Sequence, residues 1–202
     1  MSEDTQYKRS LVYHPYIIML TLILIGVVMA FIALSASYIY SRVQNPSPPI
    51  KLPSLFYLTT LILLGSSGTM MWAKRCYQAD DTQKYQMALL STIILSVIFM
   101  IIQYFAWRQL FNSGILITHS TLTSHLYLIC TLHFMHVLAG LPVLILFLRA
   151  AYLKMKEPVS VLVYFSDPEK RLKLRLLTIY WHFLDGLWIY LMLFFLLNWA
   201  FS

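Results

Sequence analysis

Four side chains in two apolar stretches have the chemistry to hold a proton or a ligand. Asp185 stands in Trp181-His182-Phe183-Leu184-Asp185-Gly186-Leu187-Trp188, inside a run long enough to span a membrane. A carboxylate at that depth costs about 2.5–3.5 kcal/mol on insertion scales unless something solvates it, so a partner or a task is expected. His182, three residues earlier, falls on an adjoining helical surface and can share a proton or a hydrogen bond with Asp185. His133 and His136 form a second pair, at i and i+3 on one surface of the preceding apolar stretch. Three uses of these groups compete. Neutral imidazoles with Asp185 as third ligand suit zinc or iron. Histidines on facing helices at matched depth suit axial haem ligation. In the third and preferred reading, the four groups form a structural interhelical polar cluster with no catalytic, cofactor-binding or metal role.

The stretches that carry these residues belong to an integral membrane protein. Hydrophobic residues make up 59% of the chain and charged residues 11%, with a mean hydropathy of +0.70. That balance leaves too little polar sequence for a separate soluble domain. Five runs, at about 13–40, 55–73, 87–107, 122–148 and 176–199, are each long enough to cross roughly 30 Å of hydrocarbon as a helix. The expectation is a single transmembrane domain over residues 1–202, an all-α five-helix bundle. The first run is too long for a cleavable signal and lacks a small-residue cleavage site, so it is expected to remain as the first span. If the fourth and fifth spans are antiparallel, counting 1.5 Å per residue puts Asp185 about 13 Å and His136 about 18 Å from the same boundary. Asp185 is therefore expected to contact His136 or His182, directly or through a water.

Charge sets the orientation. Lys8 and Arg9, Lys74, Arg75 and Lys84, and seven basic residues between 149 and 175 fall on one side, twelve of the 15 in the chain. Arg42, Lys51 and Arg108 fall on the other. The positive-inside rule then places the amino terminus in the cytoplasm and the carboxyl terminus in the periplasm. A net charge of +7 is explained by basic residues facing an anionic leaflet and calls for no nucleic acid. Tyr38, Trp72, Tyr85, Trp107, Tyr180 and Trp199 sit near span ends, where amphipathic rings prefer to lie.

Small residues predict where helices approach closely. Gly26, Ala30, Ala33 and Ser37 share one face of the first span, and Gly65-Ser66-Ser67-Gly68 opens the second to close packing. Gly140 precedes Pro142, an expected kink in the fourth span. Trp181, Asp185 and Trp188, at i, i+4 and i+7, mark one packing face of the fifth. The segment 45–49 reads as a stiff turn, Pro53 as the start of the second helix, and 108–121 as a short outer loop. Ser166-Asp167-Pro168-Glu169 has the S-x-x-E spacing of a capping box, which starts the last helix near Asp167, above the membrane. The apolar run 159–165 just before it belongs at an interface. Cys76 and Cys130 are expected to be free thiols at different depths.

Three motifs together carry a resemblance. Tyr180-Trp-His-Phe-Leu-Asp-Gly-Leu-Trp188 closely resembles the signature Y/F-W-H-F-[LV]-D-x-[VL]-W of subunit III of the haem–copper respiratory oxidases. Thr131-Leu-His-Phe-Met-His-Val-Leu-Ala-Gly140 is similar to that family's G-x-H-x-x-H-V-x-x-G helix, with Thr131 in place of the first glycine. Thr60-Leu-Ile-Leu-Leu-Gly-Ser-Ser-Gly-Thr-Met-Met-Trp-Ala73 resembles N-T-x-x-L-x-x-S-[SG]-x-T-x-x-W-A. Gln103-Tyr-Phe-Ala-Trp107 stands where the family has a Gln- or Glu-containing helix end before a short loop and a glycine, here Gly114.

The resemblance implies a non-redox accessory subunit of a bacterial terminal oxidase in aerobic respiration, with cytochrome c oxidase the first choice. Such a subunit packs on catalytic subunit I, supports its proton uptake and sustained turnover, and has no catalytic residues of its own. Haem and copper then lie in partner subunits, and phospholipid is a possible ligand. Subunit II, further small subunits and a respiratory supercomplex are implied partners, and the bacterial cytoplasmic (inner) membrane the location. Long members of the family have seven helices, and these five match the last five, as in bacterial short forms. A membrane-embedded Glu found in many members has no counterpart near Lys51, so its part in proton uptake does not carry over, and Gln103 replaces an acid of some relatives. Quinol oxidase and nitric oxide reductase accessory subunits remain alternatives. From another class, a proton-coupled transporter would use His133, His136, His182 and Asp185 as a relay, although five unlike spans offer no repeats.

Overall fold

The computed structural model describes residues 15–44, 53–116, 120–155 and 158–201. These form α1 (Pro15–Gln44), α2 (Leu55–Gln78), α3 (Thr82–Asn112), α4 (Thr121–Lys154), the short α5 (Pro158–Ser166) and α6 (Pro168–Ala200). All but α5 are long and apolar enough to cross a membrane. Lys8, Arg9, Tyr13, the turn expected at 45–49, Lys51 and Lys156 lie outside the described residues.

The helices overrun the apolar runs that announced them. Helix α4 has 34 residues, about 50 Å at 1.5 Å per residue, well beyond a hydrocarbon layer of about 30 Å. Hydropathy marks only the part that needs an apolar solvent. The helix itself continues until a cap stops it. At the end of α2, Asp80 takes a positive φ of 54° and the Asp81 N–H donates back to the Cys76 carbonyl at 3.1 Å, a Schellman closure. Asp81 then caps α3, its side chain accepting from the Lys84 N–H at 3.1 Å. Helix α3 ends in the same way on Gly114 (φ 78°), with the Ile115 N–H on the Leu110 carbonyl at 3.2 Å. The outer loop is therefore shorter than 108–121.

The capping box is shifted by one residue. Asp167, not Ser166, is the N-cap of α6, accepting from the Glu169 N–H at 2.9 Å and the Lys170 N–H at 3.4 Å. Ser166 instead donates to the Leu162 carbonyl of α5. Glu169 pairs forward with Lys173 at 2.7 Å. The shift follows from Pro168, which sits at the first helical position and leaves the carboxylate before it to cap.

The chain sorts into two ends. At one, Tyr77 of α2 donates to the Tyr164 carbonyl of α5 at 3.1 Å, Gln86 of α3 donates to the Ala151 carbonyl of α4 at 3.2 Å, and Lys173 of α6 lies over the ring of Tyr16 at the start of α1. Phe165 packs edge-on against Tyr77 and Tyr85, so the apolar run before α6 folds onto the bundle end while Leu162 and Val163 stay exposed. At the other end, Arg42 of α1 donates to Asn198 Oδ1 at 2.8 Å and to the Phe201 carbonyl at 2.9 Å. Tyr127 of α4 donates to the Ile115 carbonyl at 3.0 Å.

Helix α1 packs with a face other than the one its small residues suggested. Val27, Phe31, Ser35 and Tyr38 are its buried stripe, whereas Gly26, Ala30, Ala33 and Ser37 are exposed. Large side chains win here because Phe31 and Tyr38 fill the groove and Tyr190 of α6 donates to Ser35 Oγ at 3.0 Å.

Candidate functional site

Several buried polar groups line the seam where α6 meets α2 and α4. Helix α6 turns Trp181, Asp185 and Trp188 inward, exposed by 1%, 5% and 1%. A buried indole is apolar except for one N–H that needs an acceptor. Helix α2 supplies both acceptors: Trp181 Nε1 donates to Ser66 Oγ at 3.0 Å and Trp188 Nε1 to Thr60 Oγ1 at 3.1 Å. The pairing of 66 with 181 and 60 with 188 makes these helices antiparallel.

Ser67 carries the next contact. Its Oγ lies 2.7 Å from His182 Nδ1. Asp185 Oδ2 has no partner among the described residues. His182 is thus tied by a hydrogen bond to a side chain of α2, one turn from Asp185 on α6.

The two histidines of α4 do not reach the carboxylate. His133, fully buried, lies with Nε2 3.1 Å from the Leu184 carbonyl. Because a carbonyl only accepts, Nε2 carries the proton, and Nδ1 has no partner among the described residues. His136 Nδ1 donates to the Leu132 carbonyl of its own helix at 2.7 Å. Position 184 therefore stands level with 133, about a turn from the register that joined 185 to 136. Counting depth from helix ends misses this register because the end of α4 at Lys154 and the start of α6 at Pro168, with α5 between them, do not stand level.

Trp188 is the centre of the seam. Phe56 of α2 stacks on it at 5.8 Å between centroids, Phe99 of α3 meets it edge-on at 5.4 Å, and the His133 ring lies at 4.9 Å. Four helices thus meet on one side chain. About two turns along α4 from His133, Gly140 lets α4 close on α6. A Cβ there would lie 2.9 Å from Tyr180 Cε1 and 3.1 Å from Trp181 Cζ3, and Tyr180 Oη donates to the His136 carbonyl at 2.9 Å. Gly65 has Leu95 at 3.7 Å, whereas a Cβ at Gly26 or Gly68 would meet nothing within 4 Å.

Sequence reasoning overlooked the acceptors Thr60, Ser66 and Ser67, although two buried tryptophans signalled that acceptors must exist. It also gave Gln103 no structural place. That amide is fully buried, with neither polar atom partnered among the described residues. Among the described residues, no three His, Cys, Asp or Glu side chains come together closely enough to hold a metal ion. Cys76 and Cys130 are buried free thiols. The seam offers interhelical hydrogen bonds from two indoles and two imidazoles.

A family model described as "Cytochrome c oxidase subunit III" matches residues 13–201. The chain is 26% identical over 171 residues to "Cytochrome c oxidase subunit 3" of Bacillus subtilis, covering 82% of this chain and 78% of that protein. It is 28% identical over 152 residues to "Probable cytochrome c oxidase subunit 3" of Rickettsia felis, covering 74% of this chain and 51% of that one. With "Cytochrome c oxidase subunit 3" of Papio hamadryas the identity is 26% over 147 residues, covering 73% and 50%. The chain thus spans about half the length of the Rickettsia and Papio relatives.

Proposed function

The chain belongs to the cytochrome c oxidase subunit III family, and from that membership we propose that it is a non-redox accessory subunit of a bacterial haem–copper terminal oxidase. In this role it packs against catalytic subunit I, supports that subunit's proton uptake and keeps it active through many turnovers. Subunit II and further small subunits complete the complex in the cytoplasmic membrane, with the amino terminus of this chain in the cytoplasm. Haem and copper belong to the partners.

The observation that carries the proposal is the extent of the family match, which runs from before α1 to the end of α6. The seam is consistent with it. His133 is bonded to a carbonyl of α6 and His182 to Ser67 of α2, so these two imidazoles tie helices together, whereas His136 bonds within its own helix. His133, His136, His182 and Asp185 act in this reading as a structural cluster.

Purification through a tag on this chain in mild detergent tests the proposal by the visible spectrum and mass spectrometry of what comes along. Haem, copper and a large multi-span partner are expected, and a bound cytochrome c domain or quinone would identify the electron donor. A colourless chain without a multi-span partner, recovered from membranes that retain oxidase activity, overturns it.

A further inference from the structure

Unlike His133 and His182, the His136 imidazole makes no hydrogen bond between helices. Its Nδ1 lies 2.7 Å from the Leu132 carbonyl of its own helix. A carbonyl only accepts, so Nδ1 carries the proton, and Nε2 of the neutral ring is an acceptor. Among the described residues that acceptor has no hydrogen-bond partner. The ring lines a cavity of about 480 Å³ between α1, α4 and α6. The cavity exists because α1 stands off at this end of the bundle. Its buried residues begin only at Val27, whereas Met19 and Ile23 line the cavity and stay exposed. Opposite them, α4 and α6 close on each other through Gly140 and Tyr180. Beyond His136 the Phe31 ring, 6.1 Å from the imidazole, restores contact between α1 and α4. At the shallow end the wall holds one charged side chain, Lys173. It lies 2.7 Å from Glu169 and 5.0 Å from the centroid of the Tyr16 ring, so its charge is already met.

We propose that this cavity binds a membrane hydroquinone, its ring inward and one phenolic O–H donating to His136 Nε2. The volume falls within the range of about 300–1,000 Å³ usual for small-molecule sites. From Tyr16 to Ile23 and from Lys173 to Tyr180 its walls run about 10 Å along the helices at 1.5 Å per residue, room for a ring and the first units of its chain. The chemistry of the deep end decides among apolar occupants. An acyl chain ends in a methyl group and leaves Nε2 unpaired against hydrocarbon, which is costly for a polar atom. An anionic headgroup meets no free cation. An oxidised quinone presents a carbonyl, which only accepts and therefore opposes the Nε2 lone pair. A hydroquinone donates, and a phenol donates more strongly than an aliphatic alcohol. The chain leaves sideways past Met19, Ile23 and Val143, all exposed. No electron is transferred at this site. It is built by α1, α4 and α6 of this chain and does not depend on which complex the chain joins.

The test uses the full chain, with whatever partners accompany it, in phosphatidylcholine nanodiscs kept free of oxygen. A short-chain ubiquinone analogue with a diazirine in its tail is supplied oxidised or reduced to the hydroquinone, and adducts are mapped by mass spectrometry. Adducts at Met19, Ile23 or Val143 are expected at about fivefold lower concentration of the hydroquinone than of the quinone. His136→Phe should raise the hydroquinone concentration needed about fivefold and erase the difference. His136→Gln, which keeps an acceptor, should retain most of it. Thermal stability reports folding in each variant, and the comparison of the two redox forms on the parent chain stands without them. Equal labelling by both forms overturns the proposal, as does a preference that survives in folded His136→Phe. Displacement by an isoprenoid alcohol as readily as by unlabelled hydroquinone would assign the cavity to alcohols and overturn the phenol. Adducts that fall only on a co-purified subunit overturn it and assign the quinone to a site there. A missing oxidase partner bears on the proposed function and leaves this result intact.

Discussion

At Gly140, α4 and α6 approach so closely that the residue's hydrogen is a packing requirement. The Tyr180 and Trp181 rings lie 2.9 and 3.1 Å from where a methyl would go. Tyr180 is held by its bond to the His136 carbonyl and Trp181 by Ser66, so neither ring can withdraw without losing a hydrogen bond. Gly140→Ala should therefore destabilise the bundle by about 1–3 kcal/mol, the usual range for overpacking. Gly26→Ala, with open space around it, should be neutral or slightly stabilising. The buried thiols Cys76 and Cys130 provide the assay, because a thiol-reactive dye reports their exposure as the protein is heated in detergent. Equal midpoints for both variants would contradict the close approach. Asp185 is a buried carboxyl on the seam between helices. Asp185→Asn keeps the shape but changes which atom can accept, and an interhelical polar contact in lipid is worth about 0.6 kcal/mol on average. Weakened assembly or faster loss of turnover is expected, with initial electron transfer largely intact. Immediate loss of oxygen reduction in a fully assembled variant would count against the structural role.

The helices show which features a sequence declares and which it conceals. Asp167-Pro168 declared the start of α6, because a carboxylate before a proline has few other uses, but Ser166 was equally eligible until α5 claimed its hydroxyl. Gly114 stands where α3 ends, and its positive φ needs no side chain to explain it. The seam was legible in its residue types. Its register was not, because hydropathy locates hydrocarbon rather than helix ends, and α4 runs 21 residues beyond His133 while α6 begins only 16 residues before Leu184, so the two ends are not level. The face of α1 was concealed for a different reason: small residues permit close approach but do not require it, and Phe31 and Tyr38 had more surface to bury. The cap at Asp167 makes an element-scale prediction. Its carboxyl is held below the usual carboxylate range by Lys170, then by the Glu169 and Lys170 N–H groups. A group with a lowered folded pKa stabilises fully above its ordinary value and loses that contribution as pH falls through the folded one. Asp167→Ala should lower the thermal midpoint at neutral pH, and the difference from the parent should shrink on acidification below the carboxylate range. A difference independent of pH would mean that the carboxylate contributes little to the cap.

At the scale of the whole molecule, contacts and charge agree on which loops share a side. Tyr16, the α2–α3 turn, the end of α4, α5 and the start of α6 gather at one end through Tyr77, Gln86 and Lys173. The basic clusters at 74–84 and 149–175 therefore lie together, while Arg42 is tied to the carboxyl-terminal end of α6 at the other. That alternate loops share an end follows from consecutive antiparallel spans of any number, and it leaves only the direction to be decided. Translocating many cations across the membrane is unfavourable, so the basic end should face the cytoplasm. Two single-cysteine probes in a background with Cys76→Ala and Cys130→Ala decide it: Lys84→Cys at the basic end, where the parent side chain is 60% exposed, and Ser113→Cys at the other. A membrane-impermeant thiol reagent added to intact spheroplasts should label position 113 and spare position 84, and inverted vesicles should reverse the pattern. The opposite result would put the basic clusters at 74–84 and 149–175 on the outer side and would remove the charge argument for orientation, while leaving the packing of the seam as it stands.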